Sequence, residues 1–286
     1  MARPCGDHGG AGYTLAVTPT PRPNGRGWFI TIEGPEGSGK TSQAERLLAA
    51  GRAAGVPVAL VREPGGTPVG ERIRSLLLNA DPASVPIGPR ADALLFNAAR
   101  AQLVADVIEP KLAIGWLVIS IRFSDSTLAY QGYGAGLPLD DLRSLERFAT
   151  GGLRPDRTIL LDLPVEIGLA RKRGVEETRF ESTFAVTFHR RVREGFLALA
   201  AAAPDRFVVL DATRSPEAVA ADVRAAVQGI TGPWSRWGHG AGSRATSKED
   251  STGGPTDAIG GPFGGAPGQR ALETSEPAGH RERIHR

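Results

Sequence analysis

The sequence of 286 residues contains a single cysteine, Cys5, and no apolar run that approaches 18 residues. One cysteine excludes a framework of internal disulfides, and the short apolar runs argue against a membrane-spanning helix. The formal net charge is only +3, so an extended basic surface for nucleic acid is not expected. The five histidines lack the spacing typical of metal ligands. These absences favour a soluble, cytoplasmic protein that binds neither nucleic acid nor membrane.

The two ends of the chain differ in composition from its middle. Residues 1–27 are rich in glycine and proline, and residues from about 230 onward are dominated by glycine, proline, serine and threonine. Such segments bury too little apolar surface to offset the entropy of ordering them. The composition therefore predicts a disordered N-terminal arm over 1–27, a disordered tail over 230–286, and one folded domain over 28–229.

One stretch of the predicted domain matches the phosphate-loop pattern G-x-x-x-x-G-K-[ST] at every fixed position. It lies between a predicted strand at 28–33 and a predicted helix at 43–54. Its residues are Gly34, Pro35, Glu36, Gly37, Ser38, Gly39, Lys40 and Thr41. In such loops the backbone N–H groups and the helix N-terminus hold phosphate oxygens, which predicts an ATP site. We expect Lys40 to reach the β- and γ-phosphates and the Thr41 hydroxyl to bind Mg²⁺.

Strands and helices alternate along the rest of the domain. Further strands are predicted at 57–61, 116–120, 158–163 and 206–211, and helices at 70–78, 90–113, 139–149, 165–172, 184–202 and 216–227. For the helix at 139–149, Asp140 or Asp141 is a candidate N-cap and Gly151 the predicted end. The alternation predicts an α/β, three-layer P-loop NTPase fold, with a five-stranded parallel sheet covered by helices on both faces. Ligands bind such sheets at the carboxyl ends of the strands.

Four further stretches narrow the choice of the phosphate acceptor. They are R-E-P-G-G-T at 62–67, L-L-F-N-A-A-R at 94–100, R-F-S-D-S-T-L-A-Y-Q-G at 122–132 and A-T-G-G-L-R-P-D at 149–156. Together with the phosphate loop, they resemble the thymidylate kinase family, whose members phosphorylate dTMP to dTDP with ATP. The resemblance extends from about residue 29 to residue 212. It implies ATP and Mg²⁺ as cofactors, dTMP as acceptor and a homodimer.

The resemblance also implies roles for individual side chains. Phe96 would stack on the pyrimidine ring, although the residue type alone favours a buried core position. Arg62, Arg100 and Arg122 would hold the acceptor's phosphate and base, because a guanidinium can bind phosphate through two parallel hydrogen bonds. Tyr130 and Gln131 would contact the sugar and the base. The complete set of substrate-binding candidates is Arg62, Glu63, Phe96, Arg100, Arg122, Ser126, Tyr130 and Gln131.

The charged stretch at 171–181 resembles the lid of the same family. A basic loop that closes over ATP would exclude water and set positive charge against the transferred phosphoryl group. Arg179 is the leading candidate in this lid, and Arg171 and Arg173 are weaker candidates. A run of charged residues by itself also fits a solvated turn. The predicted catalytic residues are therefore Lys40, Arg122 and Arg179.

The sequence departs from the family pattern at Ile121, where an aspartate is expected before Arg122. Isoleucine can neither help to organise Mg²⁺ nor orient the arginine. Either another carboxylate, such as Glu63, Asp125 or Asp162, compensates, or the protein is a weakened nucleotide-binding or regulatory homologue. A third alternative is a kinase for another or modified pyrimidine monophosphate.

Overall fold

The computed structural model describes residues 25–79, 86–172 and 184–236. The five strands are β1 (Trp28–Glu33), β2 (Val58–Arg62), β3 (Leu117–Ile121), β4 (Arg157–Asp162) and β5 (Phe207–Asp211). The helices are α1 (Lys40–Ala53), α2 (Pro68–Asn79), α3 (Pro89–Leu103), α4 (Glu109–Ala113), α5 (Ser124–Thr127), α6 (Leu139–Thr150), α7 (Val165–Lys172), α8 (Val186–Ala202) and α9 (Pro216–Thr231). Within these ranges no helix is both long and apolar enough to cross a membrane.

All five strands are parallel and lie in the order β2-β3-β1-β4-β5. Because β1 lies at the centre, the phosphate loop leaves the middle of the sheet. In the pairing register, Ile121 lies beside Ile32 on one side and beside Arg62 on the other. The residues that follow these strands therefore meet at one edge of the sheet, as expected for the carboxyl ends of parallel strands.

Helices cover both faces of the sheet, which confirms the predicted three-layer fold. On one face α1 and α9 pack over Ile30, Ile32 and Ile119. On the other face α3, α6 and α8 enclose a second cluster that contains Leu160 and Phe207. Strands buried on both faces are almost continuously apolar, and β3 (L-V-I-S-I) shows this composition.

Two predicted helix features differ in the structure. The helix predicted at 90–113 is divided into α3 and α4 by a π-helical turn at Val104–Ile108. A hydrophobic spacing of three to four residues does not distinguish an α-turn from one π-turn. The predicted caps Asp140 and Asp141 are wrong, because α6 starts at Leu139, as predicted, and Pro138 occupies the N-cap, so that both aspartates lie in the first turn. Its predicted end is correct, since Gly151 adopts the left-handed conformation there.

The folded body continues beyond the predicted boundary at 229. Helix α9 extends to Thr231, and Trp234 follows in a short 3₁₀ turn, where it is buried in the same cluster as α1 and α9. Its indole N–H donates to the Thr231 hydroxyl at 3.1 Å. An indole buries a large apolar area, so the few residues after α9 belong to the core. Most of the arm predicted at 1–27 and of the tail predicted at 230–286 lies outside the described residues.

Candidate active site

The phosphate loop folds as a tight turn between β1 and α1. Gly34 and Gly37 have φ values of 144° and 69°, which side-chain-bearing residues rarely adopt. A Cβ at position 37 would also overlap the carbonyl oxygen of Gly168 in α7. The pattern of glycines is therefore required by the backbone conformation and by the close approach of α7, a contact that the motif alone does not predict.

Lys40 is folded back against its own loop. Its Nζ donates to the carbonyl oxygens of Gly34 at 2.9 Å and Pro35 at 2.8 Å, and to the Ser38 hydroxyl at 3.3 Å. Burial, followed by the nearby charge of Arg122, lowers the pKa of Lys40 to about 7. A phosphate that enters the loop would supply the negative charge that favours the ammonium form.

Arg122 and Glu36 form an ion pair between the end of β3 and the phosphate loop. The Nη2 of Arg122 lies 2.5 Å from Glu36 Oε1, and the Tyr130 hydroxyl donates to the same oxygen at 2.7 Å. Burial alone would raise the pKa of Glu36, but the charges of Arg122 and Lys40 and the Tyr130 hydrogen bond outweigh it and lower the pKa to about 2. Glu36 is therefore a carboxylate at any physiological pH.

Arg100 is fully enclosed, with a relative exposure of 1%. Its guanidinium donates to Glu63 at 2.8 Å, to the Asn97 and Thr127 side chains, and to the carbonyl oxygen of Phe123. The predicted role of Arg100 in holding the acceptor's phosphate does not fit this arrangement, because its N–H groups already have protein acceptors. Arg100 instead ties α3 to the segment after β3.

Phe96 lies on α3, and Gln131 lies in the π-helical segment Leu128–Gly134 that follows α5. Phe96 is half-buried one turn before Arg100 on α3. The side-chain amide of Gln131 is buried and donates to Asp92 at 2.8 Å. Asp92 therefore fixes one end of the amide. Sequence patterns did not single out Asp92, since an acid in the first turn of a helix is common.

A cavity of about 550 Å³ joins the two halves of the site at the carboxyl edge of the sheet. This volume is typical of small-molecule sites. The phosphate-loop residues Glu36, Gly37, Gly39, Lys40 and Thr41 line one end. All the predicted substrate-binding side chains also line it, namely Arg62, Glu63, Phe96, Arg100, Arg122, Ser126, Tyr130 and Gln131. The cavity thus places a phosphate loop and an aromatic, arginine-rich compartment side by side.

The family model for thymidylate kinase matches residues 32–223 of this chain. A thymidylate kinase from Deinococcus radiodurans is 53% identical over 204 residues, which cover 71% of this chain and 97% of that protein. A thymidylate kinase from Thermomicrobium roseum is 52% identical over 202 residues, which cover 70% and 94% of the two chains. The chain belongs to the thymidylate kinase family. The predicted resemblance and the enzyme class, a nucleotide-binding kinase, are confirmed.

The described residues fit only part of the magnesium site expected for a thymidylate kinase. Thr41 is exposed at the start of α1, where its hydroxyl can bind a cation beside the phosphates. Ile121 offers no oxygen, and among the described residues no cluster of three or more acidic, histidine or cysteine side chains forms a metal site. Mg²⁺ often relies on one or two carboxylates together with substrate phosphates and waters. Thr41 therefore fits the ion, whereas the side chain of Ile121, the last residue of β3, does not.

The three carboxylates considered as replacements at this position are all ion-paired. Glu63 pairs with Arg100, Asp125 with Arg206 at 2.6 Å, and Asp162 with Arg193 at 2.7 Å. Each is held toward the interior or toward α8 by hydrogen bonds that a metal would have to replace. The structure therefore does not support compensation by these residues.

The structure describes the start of the proposed lid but not Arg179, the leading candidate for its catalytic arginine. Arg171, at the end of α7, lines the cavity and donates to the carbonyl oxygen of Ala212 at 3.0 Å. Lys172 lines the cavity beside it. Arg173 and Arg179 lie outside the described residues. The backbone of Gly168 packs closely against the phosphate loop. The helix that ends in this basic segment, α7, therefore lies directly beside the loop.

Besides Asp92, two further buried acids were not singled out by sequence patterns. Glu33 ends β1 with an exposure of 0%, and Glu146 lies buried on α6 facing α3. Burial, reinforced by Asp125, raises the pKa of Glu33 to about 7. Burial raises that of Glu146 to about 8. An acidic residue that ends an otherwise apolar strand, as in W-F-I-T-I-E, was the signal available for Glu33.

Proposed function

We propose that the protein transfers the γ-phosphoryl group of ATP to dTMP, which produces dTDP and ADP. The observation that carries the proposal is the single cavity in which Lys40 and Thr41 face a compartment lined by Phe96, Arg122 and Gln131. A phosphate loop beside an aromatic base-binding wall suits a reaction between two nucleotides. The identity to thymidylate kinases over almost their whole length supports the same reaction.

The acceptor's phosphate is held by Arg62 and Arg122 in this proposal. Arg62 is half-exposed and pairs with Glu71 at 3.2 Å. A surface ion pair of this kind contributes only about 0–1 kcal/mol, so Arg62 can turn to a phosphate at little cost. Arg122 must instead exchange its contact with Glu36 for one with the phosphate. Phe96 stacks on the pyrimidine, and Gln131, fixed by Asp92, contacts its polar edge.

The reaction needs positioning and charge more than proton transfer. A phosphate oxygen of the acceptor is already a nucleophile at neutral pH, so no general base is required. Lys40 and the loop N–H groups hold the donor phosphates, and the lid, with Arg179, brings further positive charge as it closes. The Thr41 hydroxyl would hold Mg²⁺ beside the loop, and the ion would supply positive charge to offset that of the transferred group.

The protein acts in the cytoplasm as a homodimer in this proposal. Helices α3 and α6 pack against each other, and each carries a large apolar side chain in solvent. Phe148 on α6 is 88% exposed and Leu94 on α3 is 56% exposed. Burial of such side chains against a second copy removes apolar area from water.

A panel of acceptor nucleotides tests the proposed activity. Purified full-length protein with Mg²⁺ and ATP is assayed for ADP release with dTMP, dUMP, dCMP and dGMP. We expect a clear preference for dTMP and loss of turnover in Lys40→Ala. Absence of dTMP turnover would refute the proposal, and an equal rate with another pyrimidine nucleotide would favour the alternative acceptor.

The low-activity alternative rests on Ile121 and on the three ion-paired carboxylates near it. The same assay separates the two functions, since a regulatory homologue would bind both nucleotides and release no ADP.

A further inference from the structure

The carboxylate of Glu33 holds the segment that follows Arg122 through both of its oxygens. Its Oε1 accepts the backbone N–H of Phe123 at 2.6 Å, and its Oε2 accepts the Ser126 hydroxyl at 2.6 Å. These partners lie about 90 residues away in the sequence. A carboxylate without exposure to solvent is costly unless its oxygens are hydrogen-bonded, and here both oxygens are. Glu33 therefore anchors the segment after β3 to the centre of the sheet.

Arg122 adopts a backbone conformation that needs such an anchor. Its φ is +67°, and among the described residues it is the only non-glycine residue with positive φ. A residue of this kind costs of order 1–3 kcal/mol and persists only where its surroundings hold it. The Arg122 N–H donates to the carbonyl oxygen of Ile32, and its own carbonyl accepts from Ser120. The Glu33 bond to the next N–H completes the support.

A hydrogen-bond chain also connects Glu33 to the guanidinium of Arg122. The Nη1 of Arg122 donates to Ser126 Oγ at 3.2 Å, and Ser126 in turn donates to Glu33. A hydroxyl that donates to a carboxylate is a better acceptor for the next donor, because successive hydrogen bonds polarise one another. The chain fixes the guanidinium at the mouth of the cavity as well as the backbone that carries it.

We propose that Glu33 is a positioning residue for the acceptor's phosphate, acting on Arg122 through Phe123 and Ser126. In this chain the residue next to Arg122 is Ile121, which cannot orient a guanidinium, and Glu33 supplies that orientation from the neighbouring strand. The proposal rests on the proposed function, in which Arg122 binds the phosphate of dTMP. In that proposed function ATP is held by the phosphate loop, whereas the hydrogen bonds of Glu33 go to the turn after β3.

The substitution Glu33→Gln tests this role with little change in volume. The amide keeps one acceptor oxygen, while its NH₂ group cannot accept from Ser126 or Phe123. Loss of one hydrogen bond to a charged group corresponds to about a tenfold change in binding. We expect the KM for dTMP to rise about tenfold, with the KM for ATP changed less than twofold. Thr31→Val is the matched control: it removes another buried hydrogen bond of β1, to Thr158, and is expected to leave both KM values unchanged.

A double-mutant cycle with Ser126→Ala tests the path. If Glu33 acts through Ser126, the double variant is expected to be no worse than the more impaired single variant. Equal increases in both KM values, an unchanged KM for dTMP, or additive effects would overturn the proposal. Should Glu33→Gln fail to fold by circular dichroism, an unchanged dTMP KM in Ser126→Ala would overturn it instead.

The outcome for the wild-type protein separates this proposal from the proposed function. If the wild type uses a different nucleoside monophosphate, the KM comparison is made with that acceptor, and Glu33 is judged independently. If the wild type releases ADP with dTMP while the variants keep a normal KM, only the role of Glu33 fails. Absence of turnover with every nucleotide would overturn both.

Discussion

Glu36 of the phosphate loop and Arg122 after β3 are in contact at 2.5 Å, so the two halves of the cavity are joined by an ion pair. The pair links the donor loop to the residue proposed to hold the acceptor. A dTMP phosphate competes with Glu36 for Arg122, and that competition couples entry of the acceptor to the charge around Lys40.

The Glu36–Arg122 pair is expected to stabilise the fold near neutral pH and to lose this contribution in acid. The pKa of Glu36 is about 2 in the folded protein, below the ordinary value of 4.5. Its contribution is therefore complete above pH 4.5 and is lost as the pH falls toward 2. Between pH 5 and pH 3, the free energy of unfolding of the wild type should fall by on the order of 1–2 kcal/mol more than that of Glu36→Gln. Urea unfolding measures this, and exposed Glu45→Gln is the control; parallel curves for the wild type and Glu36→Gln would contradict it.

For Glu146 we expect the opposite effect of pH on the free energy of unfolding. Its pKa is raised to about 8 by burial, so the folded protein holds a proton that the unfolded chain releases above pH 4.5. The resulting destabilisation grows from pH 4.5 to pH 8 and is constant above that. We expect Glu146→Gln to raise the free energy of unfolding by about 1–3 kcal/mol at pH 8 and by much less at pH 5. A gain that is equal at both pH values would show that ionisation is not the cause.

Phe96 predicts a selective loss of acceptor binding. Base stacking on an aromatic ring is worth about 1–3 kcal/mol, so Phe96→Ala should raise the KM for dTMP on the order of tenfold. The KM for ATP should stay within twofold, because Phe96 belongs to α3 and not to the phosphate loop that is proposed to hold ATP. Phe96→Tyr, which keeps the ring, is the matched control. Equal increases in the KM for dTMP and the KM for ATP would show that Phe96 acts only through packing in the core.

Ile121→Asp predicts a lower requirement for Mg²⁺. An added carboxylate at the end of β3 would lie in the cavity beside Arg122 and provide an acidic oxygen near Thr41. We expect the Mg²⁺ concentration at half-maximal rate to fall about tenfold, a change of the size that groups around metal ligands produce. Ile121→Asn has nearly the same shape without the charge and should behave like the wild type. An unchanged or higher Mg²⁺ requirement in Ile121→Asp would mean that the local chemistry has been rebuilt around isoleucine.

The exposed side chain of Phe148 is expected to lie in the interface of the proposed homodimer. A charge at this exposed position should prevent burial of the α6 face, so Phe148→Glu is expected to be a monomer by light scattering, with a normal circular dichroism spectrum. Val209→Glu, on exposed edge strand β5, is the control and should keep the wild-type mass. A dimer that survives Phe148→Glu, or a wild type that is monomeric, would rule out this surface.

The sequence predicted the strands and the cavity-lining side chains because both depend on local patterns. Apolar runs such as L-V-I-S-I mark buried strands, and the phosphate loop follows the central one. The buried hydrogen bond between Ser126 and Glu33 and the ion pair between Asp125 and Arg206 could not be predicted, because the order of the strands alone brings these residues together. Arg100 shows the same limit: its motif predicts a ligand contact, whereas the partners that enclose it come from three separate segments.

Trp234 and Trp28 show where the two unassigned ends of the chain are attached. Trp234 packs near Gly51, close to where α1 ends and β2 begins, and Trp28 opens β1. Both points lie at the base of the sheet, across its full length from the phosphate loop. A partner or a solid support that holds either end would therefore leave the mouth of the cavity facing solution. A cut of the chain before Trp234 would take a piece of the core.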